Sequence, residues 1–276
     1  MRPFALDIVT TAERGYDIAE TLGFDELRDA LSVSVFDRPE GGVQVQALYE
    51  SEADAHAARD GIGQGTVAQL PDTDWVSESQ KGLPPIRAGR FVVHGSHDTP
   101  DTDGLLPILI DAGAAFGTGH HGTTAGCLAA ISDSADAPAT ILDLGTGAGV
   151  LAIAAAKHFP EADVLATDID PVAVEVAEAN AALNEVRFDT VVADGFDAPA
   201  LRGRRFDLVI ANILAGPLRG MAGDIAAATA SGGTVILSGI LDAQADWVGE
   251  AFTAQGLRIQ KKPSREGWTT IVLDKP

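Results

Sequence analysis

"TILDLGTGAGVLAIAAAKHFPEADVLATDID", residues 140–170, is the stretch from which the rest of the chain can be read. A short apolar strand pattern leads into glycines at every second position, Gly145, Gly147 and Gly149. A helical run follows over 150–159 and a second strand over 163–169. Glycine lets a backbone turn tightly and approach a ligand without a Cβ in the way. A dinucleotide fingerprint calls for a further glycine at 150, where this chain has Val150. A phosphate loop calls for Lys followed by Ser or Thr, and neither follows here. The loop therefore suits a nucleoside held closely and is poorly equipped for a pyrophosphate.

The strands that follow add specificity. Asp168 ends the strand within "VLATDID", twenty-three residues after Gly145, where an acid accepts hydrogen bonds from both hydroxyls of a ribose. Asp170 precedes Pro171 and is read as the N-cap of the next helix, with Pro171 in its first turn. One strand later, "VVADGF" offers Asp194 to an exocyclic adenine amine, or to an ordinary turn. A glycine loop, a ribose acid and an adenine-side acid on successive strands suit S-adenosylmethionine better than NAD. Asp143, at the head of the loop, is placed to meet the amine of that cofactor, directly or through water. "FDLVIANILAGPL" sets Asn212 at the end of the fourth strand, where its side-chain carbonyl can orient an incoming amine; a turn-forming asparagine is the plainer alternative.

Outward from this core, residues 139–276 alternate strands ("TILDLG", "DVLATDI", "FDTVVADG", "FDLVIANI", "GGTVILSGI") with helices. One helix, "PVAVEVAEANAALN", carries Val172, Val176, Ala179 and Leu183 on one side. The pattern predicts an α/β fold, a Rossmann-like doubly wound parallel sheet covered on both faces, with ligands at the strands' C-terminal edge. The front of the chain reads strand, helix, strand, strand, helix, strand: "FALDIV", "TAERGYDIAETLG", "LSVSVFD", "GVQVQALYE", "SEADAHAARDG" with Ser51 as N-cap, and "GTVAQL". That order predicts a small ferredoxin-like α+β domain. The expected division is 1–65 for this domain, 66–100 for a linker, and 101–276 for the cofactor-binding domain.

"AFGTGHHGTT" (115–124), "LDLGTGAGVLAIAAAKH", "TDIDPVAVEVAEANAALN", "VIANILAGPL" and "LSGIL" together resemble the bacterial methyltransferases that act on the eleventh ribosomal protein of the large subunit. The resemblance covers nearly the whole chain and includes "DWVSESQKGLPPIRAGRFVVHG", similar to that family's linker. It implies a class I S-adenosylmethionine-dependent enzyme that methylates lysine side chains and an α-amine of its ribosomal substrate, with the front domain recognising that substrate. It also implies cofactor contacts at Phe116, Gly117 and Thr124, beside Gly145, Gly147, Asp168, Asp194 and Asn212, with Asn212 the catalytic residue. The segment 117–121 is implied to be a flap over the methionine end of the cofactor, with His121 on the family histidine and His120 on a variable position. The chain departs from the family at Ala112, where proline is usual, and at Ala114, where a bulkier residue is common.

The composition is consistent with this reading. Forty acids against nineteen bases give a net charge of −21. Residues 1–112 hold twenty acids and eight bases, and residues 113–276 twenty and eleven. Such a surface disfavours direct contact with nucleic acid and attracts a basic protein partner. The single cysteine, Cys127, is expected to be a small buried residue in a reducing compartment. The N-terminus lacks the pattern of a cleavable signal, and no apolar run is long enough to span a membrane. A cytoplasmic monomer is expected. No metal is expected, since no ligand cluster accompanies the paired histidines. Three rival readings stand beside this one: a methyltransferase of another protein or a small molecule, an NAD-dependent oxidoreductase, and a non-enzymatic binding module.

Overall fold

The computed structural model describes residues 3–23, 30–38, 41–69, 85–96, 100–110, 121–134 and 137–276. The chain divides into two compact units, Met1–Trp75 and Val76–Pro276.

The front unit runs β1 (Phe4–Thr10), α1 (Ala12–Gly23), β2 (Ser32–Asp37), β3 (Val43–Tyr49), α2 (Glu52–Ile62) and β4 (Thr66–Gln69). Its sheet has the order β2-β3-β1-β4 and is antiparallel throughout. Period-two alternation builds the core: Val43, Val45, Ala47 and Tyr49 of β3 are buried, together with Leu6, Ile8, Ile18, Leu22, Ala55 and Ala58. On the opposite face Asp7 Oδ1 accepts hydrogen bonds from Gln44 and Gln46 Nε2 at 2.7 and 2.9 Å. Ser51 caps α2 by accepting the Asp54 N–H, and the helix ends at Gly63 in the left-handed region, beyond the expected Gly61.

Strands lie toward both ends of the stretch 66–100 expected as a linker. Residues 66–69 are β4, which completes the front sheet by pairing with β1. Residues 86–94 are committed to the second unit: β5 (Ile86–Ala88) and β6 (Phe91–His94) join β7 (Leu106–Leu109) in a three-stranded sheet, with β6 and β7 parallel.

The second unit continues with α3 (His121–Ser132), β8 (Thr140–Leu144), α4 (Val150–His158), β9 (Asp163–Asp168), α5 (Pro171–Leu183), β10 (Asp189–Val192), β11 (Phe206–Asn212), α6 (Ala215–Gly220), α7 (Ala222–Ala228), β12 (Thr229–Leu241), α8 (Ala245–Thr253), β13 (Arg258–Lys261), β14 (Ser264–Arg265) and β15 (Trp268–Asp274). The main sheet has the order β10-β9-β8-β11-β12-β15-β13. Strands β10, β9, β8, β11 and β12 are parallel, while β15 runs antiparallel to β12 and β13. From β8 the chain winds outward through β9 and β10, then returns to β8's other side with β11 and β12. The winding therefore reverses at the C-terminal ends of β8 and β11, where an open α/β sheet leaves a crevice for a ligand.

Apolar layers cover both sheet faces. One contains Ile141, Leu208, Ile210 and Ile236 with residues of α3 and α4; the other contains Leu142, Leu144, Val209 and Leu237 with residues of α6, α7 and α8. Helix α5 seats itself differently from the apolar stripe read in the sequence. Val172 and Leu183 are exposed, and the buried residues are Ala173, Val174, Ala177, Asn180 and Ala181. Small side chains let α5 lie close to the glycine loop: a Cβ on Gly149 would stand 3.0 Å from the Cβ of Ala177.

Candidate active site

The loop between β8 and α4 is held by hydrogen bonds on each side. The N–H groups of Gly145 and Thr146 donate to the Thr167 carbonyl at 2.8 and 2.9 Å. Gly145 has φ 73°, and a Cβ there would meet Ile213 Cγ2 at 2.4 Å, so both conformation and space demand glycine. The loop is thereby wedged against the residue that follows Asn212.

Asp168 ends β9 with its carboxylate bound twice by backbone. Gly147 N–H donates to Oδ2 at 2.8 Å and Asp170 N–H donates to Oδ1 at 3.0 Å. Each oxygen keeps further acceptor capacity, so a pair of ribose hydroxyls fits the same carboxylate. Asp170 caps α5 by accepting the Val172 N–H at 2.8 Å, with Pro171 in the first turn.

Asp143 lies beneath the loop with 1% of its surface exposed. Its Oδ2 accepts the Thr146 hydroxyl at 2.7 Å and the Ala152 N–H at 3.0 Å. Its Oδ1 is buried with no partner among the described residues. Burial pushes the carboxyl up to about 6, the hydrogen bonds from Thr146 and Ala152 oppose that, and the Asp168 charge adds to it. A buried carboxylate oxygen in want of a donor is the chemistry that a cationic amine satisfies. With the side-chain-free loop and the twice-anchored Asp168, it makes these residues a fit for the adenosyl and amino-acid parts of S-adenosylmethionine.

Asn212 is half-buried at the end of β11, the strand beside β8, in register with Ser238 of β12. Asp194 is exposed two residues beyond β10, in a turn where its carbonyl accepts the Asp197 N–H. Gly145, Gly147, Asp168, Asp194 and Asn212 thus gather at one edge of the sheet. Phe116 and Gly117 lie outside the described residues. Residues 121–124 form the first turn of α3, and Thr123 and Thr124 are buried there. The Ser238 hydroxyl donates to the Thr123 carbonyl at 3.3 Å and pairs with Thr270 Oγ1 at 3.2 Å. Cys127 is fully buried nearby; burial first, then the Asp143 charge, raises its thiol pKa far above the ordinary value, so it is an inert core residue. Among the described residues no group of three or more His, Cys, Asp and Glu could hold a metal ion.

Three residues at this edge escaped the sequence reading. Ile169, after Asp168, is 64% exposed, Val192 at the end of β10 is 48% exposed, and Leu214, two residues past Asn212, is 50% exposed. They offer apolar contact to a planar base and to an alkyl chain. Periodicity assigns apolar residues to a core, so it gives no sign that these face outward.

Comparison with known proteins places the chain in a family. Residues 18–276 match the family model described as ribosomal protein L11 methyltransferase (PrmA). A ribosomal protein L11 methyltransferase of Brucella abortus (strain S19) is 48% identical over 272 residues, 95% of each chain. Its counterpart in Mesorhizobium japonicum is 54% identical over 213 residues, 74% of this chain and 72% of that one. Among solved structures, a ribosomal protein L11 methylase from Lactobacillus delbrueckii subsp. bulgaricus superposes with a TM-score of 0.63 at 30% identity, covering 70% of this chain and 99% of that one.

Proposed function

The chain belongs to the ribosomal protein L11 methyltransferase family, and from that premise we propose that it methylates amino groups, lysine side chains and the α-amine, of ribosomal protein L11. The cofactor is S-adenosylmethionine, which supplies an electrophilic methyl on a sulfonium when bound. The observation that carries the reading is the bond between Gly147 and Asp168 at the edge where the sheet reverses its winding, with Asn212 on the adjoining strand.

The remaining chemistry belongs to the side chains. Asp168 accepts the ribose hydroxyls, and Asp143 supplies a counter-charge for the cofactor's amine. Asp194 takes the adenine amine, while Ile169 and Val192 shield the ring from water. Thr124, Phe116 and Gly117 are assigned to the cofactor on the family pattern. A lysine amine of ordinary pKa is neutral in about one molecule in a few thousand at pH 7, so the acceptor must lose its proton before it reacts. Asn212 has a side-chain carbonyl that would accept one N–H of the neutral amine and so fix the orientation of its lone pair. Leu214 gives the lysine's methylenes an apolar wall that excludes water. Proximity and orientation of this kind account for much of the rate of a displacement.

The front unit is assigned to holding the substrate. Fifteen acids against five bases over residues 1–75 favour a basic ribosomal protein. Action in the cytoplasm, where ribosomal proteins are made, accords with that substrate; no helix among the described residues is long and apolar enough to cross a membrane. Intact-mass spectrometry of purified ribosomal protein L11, after incubation with this protein and S-adenosylmethionine, tests the reading. Added mass in whole methyl steps is expected, and unmodified L11 overturns it.

A further inference from the structure

Two asparagines on one face of α5 link the glycine loop to a strand of the other sheet. Asn180, 2% exposed, donates from Nδ2 to the Ala148 carbonyl at 2.8 Å. One turn later Asn184 caps the helix, with its backbone N–H reaching the Asn180 and Ala181 carbonyls. The Asn184 side chain grips β7 at both of Leu109's backbone groups. Its Oδ1 accepts the Leu109 N–H at 2.9 Å, and its Nδ2 donates to the Leu109 carbonyl at 2.6 Å. The same Nδ2 also donates to the Asn180 carbonyl at 2.8 Å, which ties the two grips together. Glu185, next in the chain, is held in the left-handed region at φ 57°, and the Val186 N–H closes the helix end on the Ala181 carbonyl. A non-glycine residue in that region costs energy, which the surrounding bonds must offset.

Neither asparagine can be replaced by packing alone. The Ala148 carbonyl belongs to a loop whose glycines Gly145, Gly147 and Gly149 all have positive φ, and whose own bonds run to β9. Asn180 restrains that loop from α5. Beside it, Ala177 closes on Gly149. Strand β7 is held from two helices, by Asn184 and by Lys157 of α4, whose ammonium donates to the Pro107 carbonyl. β7 ends at Leu109, and Ile110 still pairs with the His94 carbonyl of β6 at 2.9 Å. The next residues, 111–120, are those in which the family pattern places Phe116 and Gly117.

We propose that Asn180 and Asn184 are positioning residues that couple occupation of the cofactor loop to the end of β7, the strand that leads into 111–120. The proposal rests on the cofactor reading above. A coupling of this kind is reciprocal: a ligand that fixes the loop steadies Leu109, and loosening Leu109's partner loosens the loop. Neither residue touches the reacting atoms.

Amide hydrogen exchange at Leu109, read by NMR on the full chain with and without S-adenosylhomocysteine, tests it beside calorimetric affinities. In the unmodified protein the ligand should slow exchange at Leu109. Asn180→Ala should weaken ligand affinity about tenfold, the scale of one lost hydrogen bond, and remove the ligand's effect on Leu109. Asn184→Ala should speed Leu109 exchange about tenfold without ligand and, by the same reciprocity, weaken affinity but less than Asn180→Ala does; it keeps the test open if Asn180→Ala folds poorly. The coupling is overturned if the unmodified protein binds the ligand and Leu109 does not respond. It is equally overturned if the ligand slows Leu109 exchange in both variants as much as it does in the unmodified protein. Absence of binding in the unmodified protein overturns the cofactor reading and the coupling with it.

Discussion

The Asp168 carboxylate accepts the Gly147 backbone N–H at 2.8 Å, so the acid assigned to the ribose also fixes the loop under it. One substitution therefore removes both functions. Asp168→Ala should weaken S-adenosylhomocysteine binding by at least about ten- to a hundredfold, the effect of losing a single charge-assisted hydrogen bond worth about 1.5–3 kcal/mol. Unchanged affinity in calorimetry would contradict the assignment.

Asn212 is assigned to the acceptor. Asn212→Ala should lower kcat about a hundredfold, as expected when a nucleophile is misaimed, while cofactor affinity stays within about threefold. A variant whose only defect lies in cofactor affinity would place Asn212 with the cofactor instead.

Asp143 predicts a pH dependence. Its folded pKa, about 6, lies above the ordinary carboxylate value, so the folded protein holds this proton more tightly than the unfolded chain. Its contribution to stability is therefore greatest below about pH 4 and falls as pH rises through 6. A bound ammonium reverses that preference by favouring the ionised form. Affinity for S-adenosylhomocysteine should then drop by up to about tenfold per pH unit below 6, and Asp143→Asn should flatten the profile. An unchanged slope in that variant would assign the dependence to another group.

Gly145 has no room for a Cβ beside Ile213. Gly145→Ala adds a Cβ at 2.4 Å from Ile213 Cγ2 in a backbone conformation that alanine disfavours. A loss of about 1–3 kcal/mol in thermal or denaturant unfolding is expected, with cofactor binding impaired beyond detection. Full binding by that variant would mean that the loop has freedom the packing denies it.

Residues 76–276 form a unit with its own core. Expressed alone, they should bind S-adenosylhomocysteine within about twofold of the full chain, since every loop and carboxylate bond is internal to them, and should lose methylation of ribosomal protein L11. Retained methylation would remove substrate recognition from the front unit.

Much of this was legible in the residues because strand patterns and turn residues act locally. The glycines at 145, 147 and 149, the N-caps Asp170 and Ser51, and the order of elements all follow from short-range preferences. The buried face of α5 did not, because its partner is a glycine loop that admits only Ala177 and its small neighbours, which hydrophobicity alone underrates. Strands β4 and β5, toward either end of the expected linker, are too short to show a clear alternation, and the partner of β4, β1, lies about sixty residues back along the chain. That Thr123 and Thr124 are helical and buried has no local signal, since both come just after Gly122 and β-branched threonine favours neither state strongly. Asn180 and Asn184 gave no sign of their role, since their partners Ala148 and Leu109 are backbone groups that any sequence would supply.

A crystal structure of the full chain with S-adenosylhomocysteine tests the central claim most directly. The ribose hydroxyls should rest on the Asp168 carboxylate above the 145–149 loop, with the sulfur turned toward Asn212. A ligand seated elsewhere, or a ribose without contact to Asp168, would contradict it.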